Sequence, residues 1–404
     1  MSDTYTYKVR DKQGKIVLGS LNADSTTLVA NKLRQMGYVP LAIDKKTVGL
    51  KTELKIPGTG KPKLKDIAIF SRQFAVMIDS GLSLLRALHI LGEQTENKVL
   101  AGVVGEVRQD VEKGTALSQA LGRHPKTFSR LYVSMVRSGE TGGNLDSVLV
   151  ELADTIEKQV ELRQKVKSAM TYPVAVLCLV GLIVTAMLIF IVPTFKGIYG
   201  DLGGTLPLPT RVLLLVSSLM VKALPIVVLA MAGFVFAFKR WIESEKGRGI
   251  WDRFKLRVPV FGKLARLIAL TRFSKTLAAL LRSGVPILES LEITADAVGN
   301  TVVSKAVKDV QDGVKQGEPI AKRLEDHPVF PPMVVQMLAV GEETGAVDAM
   351  LEKVGDFYER ETEATVDALT SLLEPLLIAV LGGAVGSMVV ALYMPMFNII
   401  KLIK

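Results

Sequence analysis

One segment of this chain occurs twice, and each occurrence ends in an apolar run long enough to cross a bilayer. Phe70-Ser71-Arg72 opens the first copy, which continues through Ser80-Gly81, Asn97, His124-Pro125 and Glu140-Thr141-Gly142 to Pro173, Pro193 and Phe195. Phe273-Ser274-Lys275 opens the second, followed by Ser283-Gly284, Asn300, His327-Pro328, Glu343-Thr344-Gly345, Pro375, Pro395 and Phe397. Matched landmarks lie 203 residues apart as far as His124 and His327 and 202 apart at the prolines, so one residue is missing from the second copy. A fixed offset held over so many positions is an internal duplication, and it limits the fold to two versions of one unit.

Each unit starts polar with helical periodicity and finishes apolar. Between Lys167 and Lys196 lie 28 uncharged residues, and between Glu374 and Lys401 lie 26. A membrane helix needs about 20. If both soluble parts occupy one side of the membrane, both spans run the same way, and the chain must return once between them. The apolar stretch between Arg211 and Lys239 supplies that return and has no counterpart in the repeat. It is less regular than the others. Lys222 and Pro225 interrupt it, which suggests that Arg211 to Met220 runs along the outer interface while Lys222 snorkels outward.

The charge pattern orients these spans. Lys158, Arg163, Lys165 and Lys167 precede the first; Lys239, Arg240, Lys246, Arg248, Arg253, Lys255 and Arg257 follow the second; the loop between holds only Lys196, Asp201 and Arg211. Basic flanks stay in the cytoplasm. Both bundles are therefore expected there, with the amino terminus cytoplasmic and the carboxyl terminus periplasmic. The approach to the third span is acidic (Glu359, Glu361, Glu363, Asp367, Glu374) and gives no such signal. The net charge of +10 faces anionic lipid rather than nucleic acid, because aromatic residues make up only 6% and no basic and aromatic stripe interleaves. No apolar run near the start suggests a cleaved signal peptide.

The expected architecture is a mainly α, polytopic membrane protein. Residues 1–45 read as a small ββαβ unit: Tyr5, Tyr7 and Val9 alternate, Asp11 to Gly14 turns, Ile16 to Leu21 pairs, and Asp24 or Ser25 caps a helix. That helix would bury Leu28, Val29, Leu33 and Met36 and stop at Gly37, before a strand from Val39 to Ile43. Residues 46–63 read as a linker. Its Gly58-Thr59-Gly60-Lys61 resembles a phosphate-binding loop but has Lys55 where the first glycine belongs and Pro62 where Ser or Thr belongs, so nucleotide binding is rejected. There follow a first cytoplasmic bundle of about six helices (64–171), span one (172–195), a short periplasmic loop (196–211), an interfacial segment with span two (212–238), a second bundle (239–374) and span three (375–400).

No catalytic, cofactor or metal site emerges. His89, His124 and His327 lack metal spacing, and the lone Cys178 lies within span one. Three features stand out instead. Gly139, Glu140, Thr141, Gly142 and Asp146, answered by Glu343, Thr344, Gly345 and Asp348, read as helix–turn–helix corners; a partner-contact or cation site through Glu140 and Asp146 is the alternative, although two carboxylates fall short of a calcium shell. Tyr172-Pro173 and Glu374-Pro375 mark the cytoplasmic mouths of spans one and three. In span three Gly382 and Gly386, with Gly383 and Ser387, have the spacing that lets membrane helices approach closely.

Taken with Tyr5-x-Tyr7, Gly14 and Gly19, and with Arg257-Val258-Pro259-Val260-Phe261-Gly262, these paired motifs give the chain a resemblance over its whole length. It resembles the inner-membrane platform proteins of type IV pilus assembly and type II secretion. The resemblance implies a non-enzymatic, homo-oligomeric platform. Its partners would be a hexameric cytoplasmic ATPase for assembly or retraction, the transmembrane helices of pilin or pseudopilin subunits, and other inner-membrane assembly proteins. The short amino-terminal unit points to the pilus branch. A transporter would repeat several spans in each half, and an intramembrane enzyme would carry paired reactive groups within them.

Overall fold

The computed structural model describes residues 3–10, 16–23, 26–45, 61–194, 208–259 and 261–402, and the chain divides into two units, Met1–Gly60 and Lys61–Lys404. In the first unit, strands β1 (Asp3–Arg10), β2 (Ile16–Ala23) and β3 (Val39–Lys45) form an antiparallel sheet in the order β2-β1-β3, with helix α1 (Thr26–Gln35) between β2 and β3. Val9, Val29 and Leu33 are buried against Tyr7 and Tyr38. Leu28 and Met36 are more than half exposed, against the expectation of one buried face, because so small a sheet covers only a narrow stripe of the helix. Gly37 adopts φ 82°, which ends α1. The turn at Asp11 to Gly14, the cap candidates Asp24 and Ser25, and the Gly58-Thr59-Gly60 stretch lie outside the described residues.

The second unit is helical. Its first copy comprises α2 (Leu64–Asp79), α3 (Leu84–Gln94), α4 (Lys98–Glu112), α5 (Leu117–Gly122), α6 (Arg130–Gly142) and α7 (Leu145–Ala186), and the second comprises α10 (Phe261–Arg282), α11 (Ile287–Ala297), α12 (Thr301–Lys315), α13 (Ile320–Glu325), α14 (Pro332–Thr344) and α15 (Val347–Leu402). Helices α8 (Leu208–Glu243) and α9 (Glu245–Arg257) join them. Local signals recur with the sequence repeat. Asn97 and Asn300 cap α4 and α12, each side-chain oxygen accepting two backbone N–H bonds. Gly81 and Gly284 take φ 82° and 79°, where a side chain would be strained, and so turn the chain after α2 and α10.

Phe70 packs between Phe74 and Phe128, with ring centroids 5.7 and 5.8 Å away, and Phe273 meets Phe330 edge-on at 4.9 Å. Phe128 and Phe330 are already 202 apart, which places the missing residue in the short connection where His124-Pro125-Lys126-Thr127-Phe128 becomes His327-Pro328-Val329-Phe330. Ser71 donates to the Ile67 carbonyl at 2.7 Å and lies 3.3 Å from the Tyr132 hydroxyl; burial raises the pKa of that phenol, so it stays neutral. The second copy has Val334 in place of Tyr132, and the buried Ser274 hydroxyl has no hydrogen-bond partner among the described residues. The copies are not separate. The core of the first takes in Ala279, Leu280, Val285 and Ile293 from the second.

Helices α7 and α15 run without a break from the bundle cores into the apolar segments, across the expected boundaries at 171 and 374. Both are long and apolar enough to cross a membrane. Helix α7 contains Pro173 and ends in a π-helical turn, Met187–Ile191, that frees backbone carbonyls; the buried Ser217 hydroxyl of α8 donates to that of Leu188. Leu188 and Val192 also bury Met388 of α15. Helix α8 continues past Lys222 and Pro225, where the sequence suggested an interruption. Proline's fixed φ is compatible with a helix, which continues here at the cost of one backbone bond.

Candidate functional site

The corners are tighter than the sequence suggests. Ser138 to Gly142 belong to α6, and Gly341 to Thr344 to α14, so each corner reduces to a glycine and one further residue. Gly143 (φ 70°) and Gly345 (φ 71°) are the equivalent turn residues, which corrects the pairing of Gly142 with Gly345. The same one-residue shift pairs Glu140 with Glu342 rather than Glu343. Both Glu140 oxygens accept from the amides that open α5, the Ser118 N–H at 2.9 Å, and Glu342 holds Ile320 and Ala321 at 2.6 and 3.0 Å. These carboxylates replace the missing caps of two six-residue helices. Thr141 and Thr344 bond back to Arg137 and Val340 within their own helices. Gly139 and Gly341 let the next helix cross closely: an added Cβ would lie 3.1 and 2.9 Å from the backbone of Leu145 and Val347. Asp146 and Asp348 occupy the first turns of α7 and α15, where negative charge suits the helix dipole. Among the described residues no three His, Cys, Asp or Glu side chains gather as a metal site would require.

Tyr172-Pro173 and Glu374-Pro375, expected at the membrane mouths, lie on continuous helix. Pro173 is buried, Tyr172 and Glu374 are exposed, and no bond ties Glu374 to Tyr172. Nearby, Lys165 reaches from α7 to Glu363 of α15 at 3.1 Å, so the two long helices are linked just before they turn apolar. The histidines face carboxylates: His124 lies 3.6 Å from Glu106 and His327 3.0 Å from Asp309.

A repeated charge network joins the first and last helices of each bundle. Arg72 holds Glu157 at 2.9 Å and also Asp154; Lys275 holds Glu359 at 3.3 Å and also Asp356. These are the same triad in both copies, α2 tied to α7 and α10 to α15. Hydrogen bonds to Glu157 and Asp154 raise the Arg72 pKa further, and the bond to Arg72 lowers that of Glu157. Burial works against the charge on Lys275, yet its two carboxylates outweigh burial and raise its pKa.

A third cation joins the repeats. Arg282 of α10 holds Glu151 of α7 at 3.2 Å and Glu352 of α15. Around it, Arg130 reaches Glu292 and Asp296 at 2.9 Å each, Ser134 reaches Glu289 at 3.0 Å, and the Ser138 hydroxyl donates to the Ser283 carbonyl. A cavity of about 110 Å³ lies in this cleft. Arg272 lines it with no carboxylate partner among the described residues, and burial, then the charge of Arg163, lowers its pKa. The arrangement suits mechanical connection between two bundles.

The family model for type II secretion system protein F matches residues 70–193 and again 273–395, and the model for its amino-terminal domain matches residues 1–44. The chain belongs to the type II secretion system protein F family. Its relatives include the type IV pilus assembly protein PilC of Thermus thermophilus, 49% identical with 98% of each chain covered, and PilC of Myxococcus xanthus, 39% identical over 98% of this chain and 94% of the other. Type II secretion system protein F of Aeromonas hydrophila is 32% identical over 94% of this chain and 99% of its own.

In this member of the family, both repeats carry the Phe-Ser-basic motif and the Asp-x-x-Glu that answers it. Asp154 and Glu157 recur as Asp356 and Glu359 at the 202-residue spacing. That recurrence was readable. Arg282 was not, because its equivalent in the first copy is Asp79 and only the packing shows that it serves both halves.

Proposed function

We propose that the protein is a non-enzymatic platform in the bacterial inner membrane that couples a cytoplasmic motor ATPase to the extraction and assembly of pilin subunits. One observation carries this reading. The last helix of each bundle continues into a long apolar segment, and Arg282 ties the two bundles together, so a push on either bundle reaches both apolar helices. In the proposed topology α7, α8 and α15 all cross, with the amino terminus cytoplasmic and the carboxyl terminus periplasmic. The basic flanks of the first two support that orientation. The names of the pilus assembly relatives favour the pilus branch, and a secretion platform extracting pseudopilins is the alternative. The short paired carboxylate corners are structural here, and they leave the outer bundle faces for the ATPase.

Assembly into homo-oligomers, or grip on a pilin helix, is assigned to α15. Added Cβ atoms at Gly382, Gly383 and Gly386 would meet nothing within 4 Å, so this small-residue face has no partner among the described residues. In cells lacking the native gene, wild-type protein should restore pili, whereas Gly382→Leu with Gly386→Leu should insert normally yet give no fibres and leave pilin in the membrane. Normal fibres from the double variant would remove α15 from assembly. Normal fibres without the protein at all would end the platform reading.

A further inference from the structure

We infer that α9 is an in-plane membrane anchor whose groove against α12 holds the phosphate headgroup of an anionic phospholipid. The inference rests on the proposed crossing of α8. Helix α8 ends in Phe234, Phe238 and Trp241, and after a one-residue turn the chain folds back. Trp251 then meets Phe238 edge-on at 5.2 Å, and Phe254 stacks on Trp251 at 5.7 Å. Gly247 permits this fold: a Cβ there would lie 1.9 Å from the Trp241 carbonyl oxygen, and its N–H donates to Ser244 at 3.1 Å. The aromatic cluster thus puts α9 level with the end of the span, where amphipathic rings settle at a bilayer surface.

Helix α9 is fixed to the second bundle on its other side. Asp252 is buried, and its carboxylate accepts from the Thr301 N–H at 3.0 Å, at the start of α12. Between the two helices runs an open groove of about 790 Å³. Lys246 and Arg253 of α9 and Lys305 of α12 line it, and none has a carboxylate partner among the described residues. The one acid in the groove, Asp309, is already held by His327 at 3.0 Å. A free phosphate would satisfy the cations alone. A lipid satisfies more, because Ile250 and Phe254 stand 61% and 55% exposed beside them. Three unpaired cations, exposed apolar side chains and continuity with a span together match a phospholipid with a negative headgroup.

The protein's two tryptophans, Trp241 and Trp251, both sit at this junction and report on it directly. Full-length protein carrying Trp241→Phe would be reconstituted in vesicles containing acyl-brominated phosphatidylglycerol or, separately, acyl-brominated phosphatidylcholine at equal mole fraction. Quenching of Trp251 by the glycerol lipid should exceed that by the choline lipid about fivefold, the effect of even one cation at the surface. Lys246→Gln with Arg253→Gln and Lys305→Gln, all exposed positions, should make the two lipids equivalent without changing expression or thermal stability. Equal quenching by both lipids in the unmodified groove would overturn the headgroup site and leave the span intact. Selectivity that survives the triple variant would likewise remove these three cations. Quenching by neither lipid would overturn the anchor and also the crossing of α8. Loss of selectivity on adding inorganic phosphate to the vesicles would assign the groove to the free ion instead.

Discussion

Phe273→Ala is expected to cost about 3–5 kcal/mol, the usual loss for a fully buried phenylalanine. The ring is 0% exposed, meets Phe330 at 4.9 Å, and sits in the core of the second bundle among Leu270, Leu277, Leu338 and Val354. A loss of this size is a large share of the roughly 5–15 kcal/mol that holds a domain folded. It would spread, because the first core borrows residues from the neighbouring α10 and α11. Limited proteolysis of the full chain in mild detergent checks it: both bundles should be cleaved far faster in the variant, and Phe273→Leu should lie between. Unchanged protection of the first bundle would mean that the shared residues do not couple the copies.

Arg282→Glu is expected to loosen the repeats while each bundle stays folded. The substitution sets a third negative charge against Glu151 and Glu352. Those side chains and Arg282 are 26%, 40% and 36% exposed, so water screens much of the interaction, and the pair energies are discounted accordingly. About tenfold faster amide exchange is expected at residues 129–138 and 283–297, equivalent to about 1.4 kcal/mol of local stability. Exchange in the α5 and α13 caps, held by Glu140 and Glu342, should not change. Adding Glu151→Arg should restore part of the protection. Equal exchange in wild-type and Arg282→Glu protein would show that shared apolar packing alone joins the repeats.

The duplication, the two long apolar helices and the stops at Gly81 and Gly284 were all legible in sequence, because each rests on local spacing or on glycine's freedom to turn. The corner register was not. Glu140-Thr141-Gly142 and Glu343-Thr344-Gly345 match as letters, but the residue missing before Phe330 shifts the chain, and the caps of α5 and α13 select Glu140 and Glu342. Only the amides they hold distinguish these carboxylates from their neighbours. The Arg72 and Lys275 triads left a visible trace, a recurring basic residue and a recurring Asp-x-x-Glu. Arg282 left none, since a residue that bridges two copies need not be repeated in either. Helix α8 misled for a different reason: Lys222 and Pro225 look like breaks locally, yet proline's fixed φ is compatible with helix and the segment stays continuous.

Coupling to a motor is the central claim, and co-purification tests it most directly. Full-length protein in mild detergent would be mixed with candidate assembly ATPases, then scored for a stable complex and for the rate of ATP hydrolysis. The coupling proposal predicts a complex with altered turnover, and predicts that Arg282→Glu binds the ATPase but no longer alters its rate to the same extent. A correctly folded protein that binds none of these ATPases and leaves hydrolysis unchanged would contradict it.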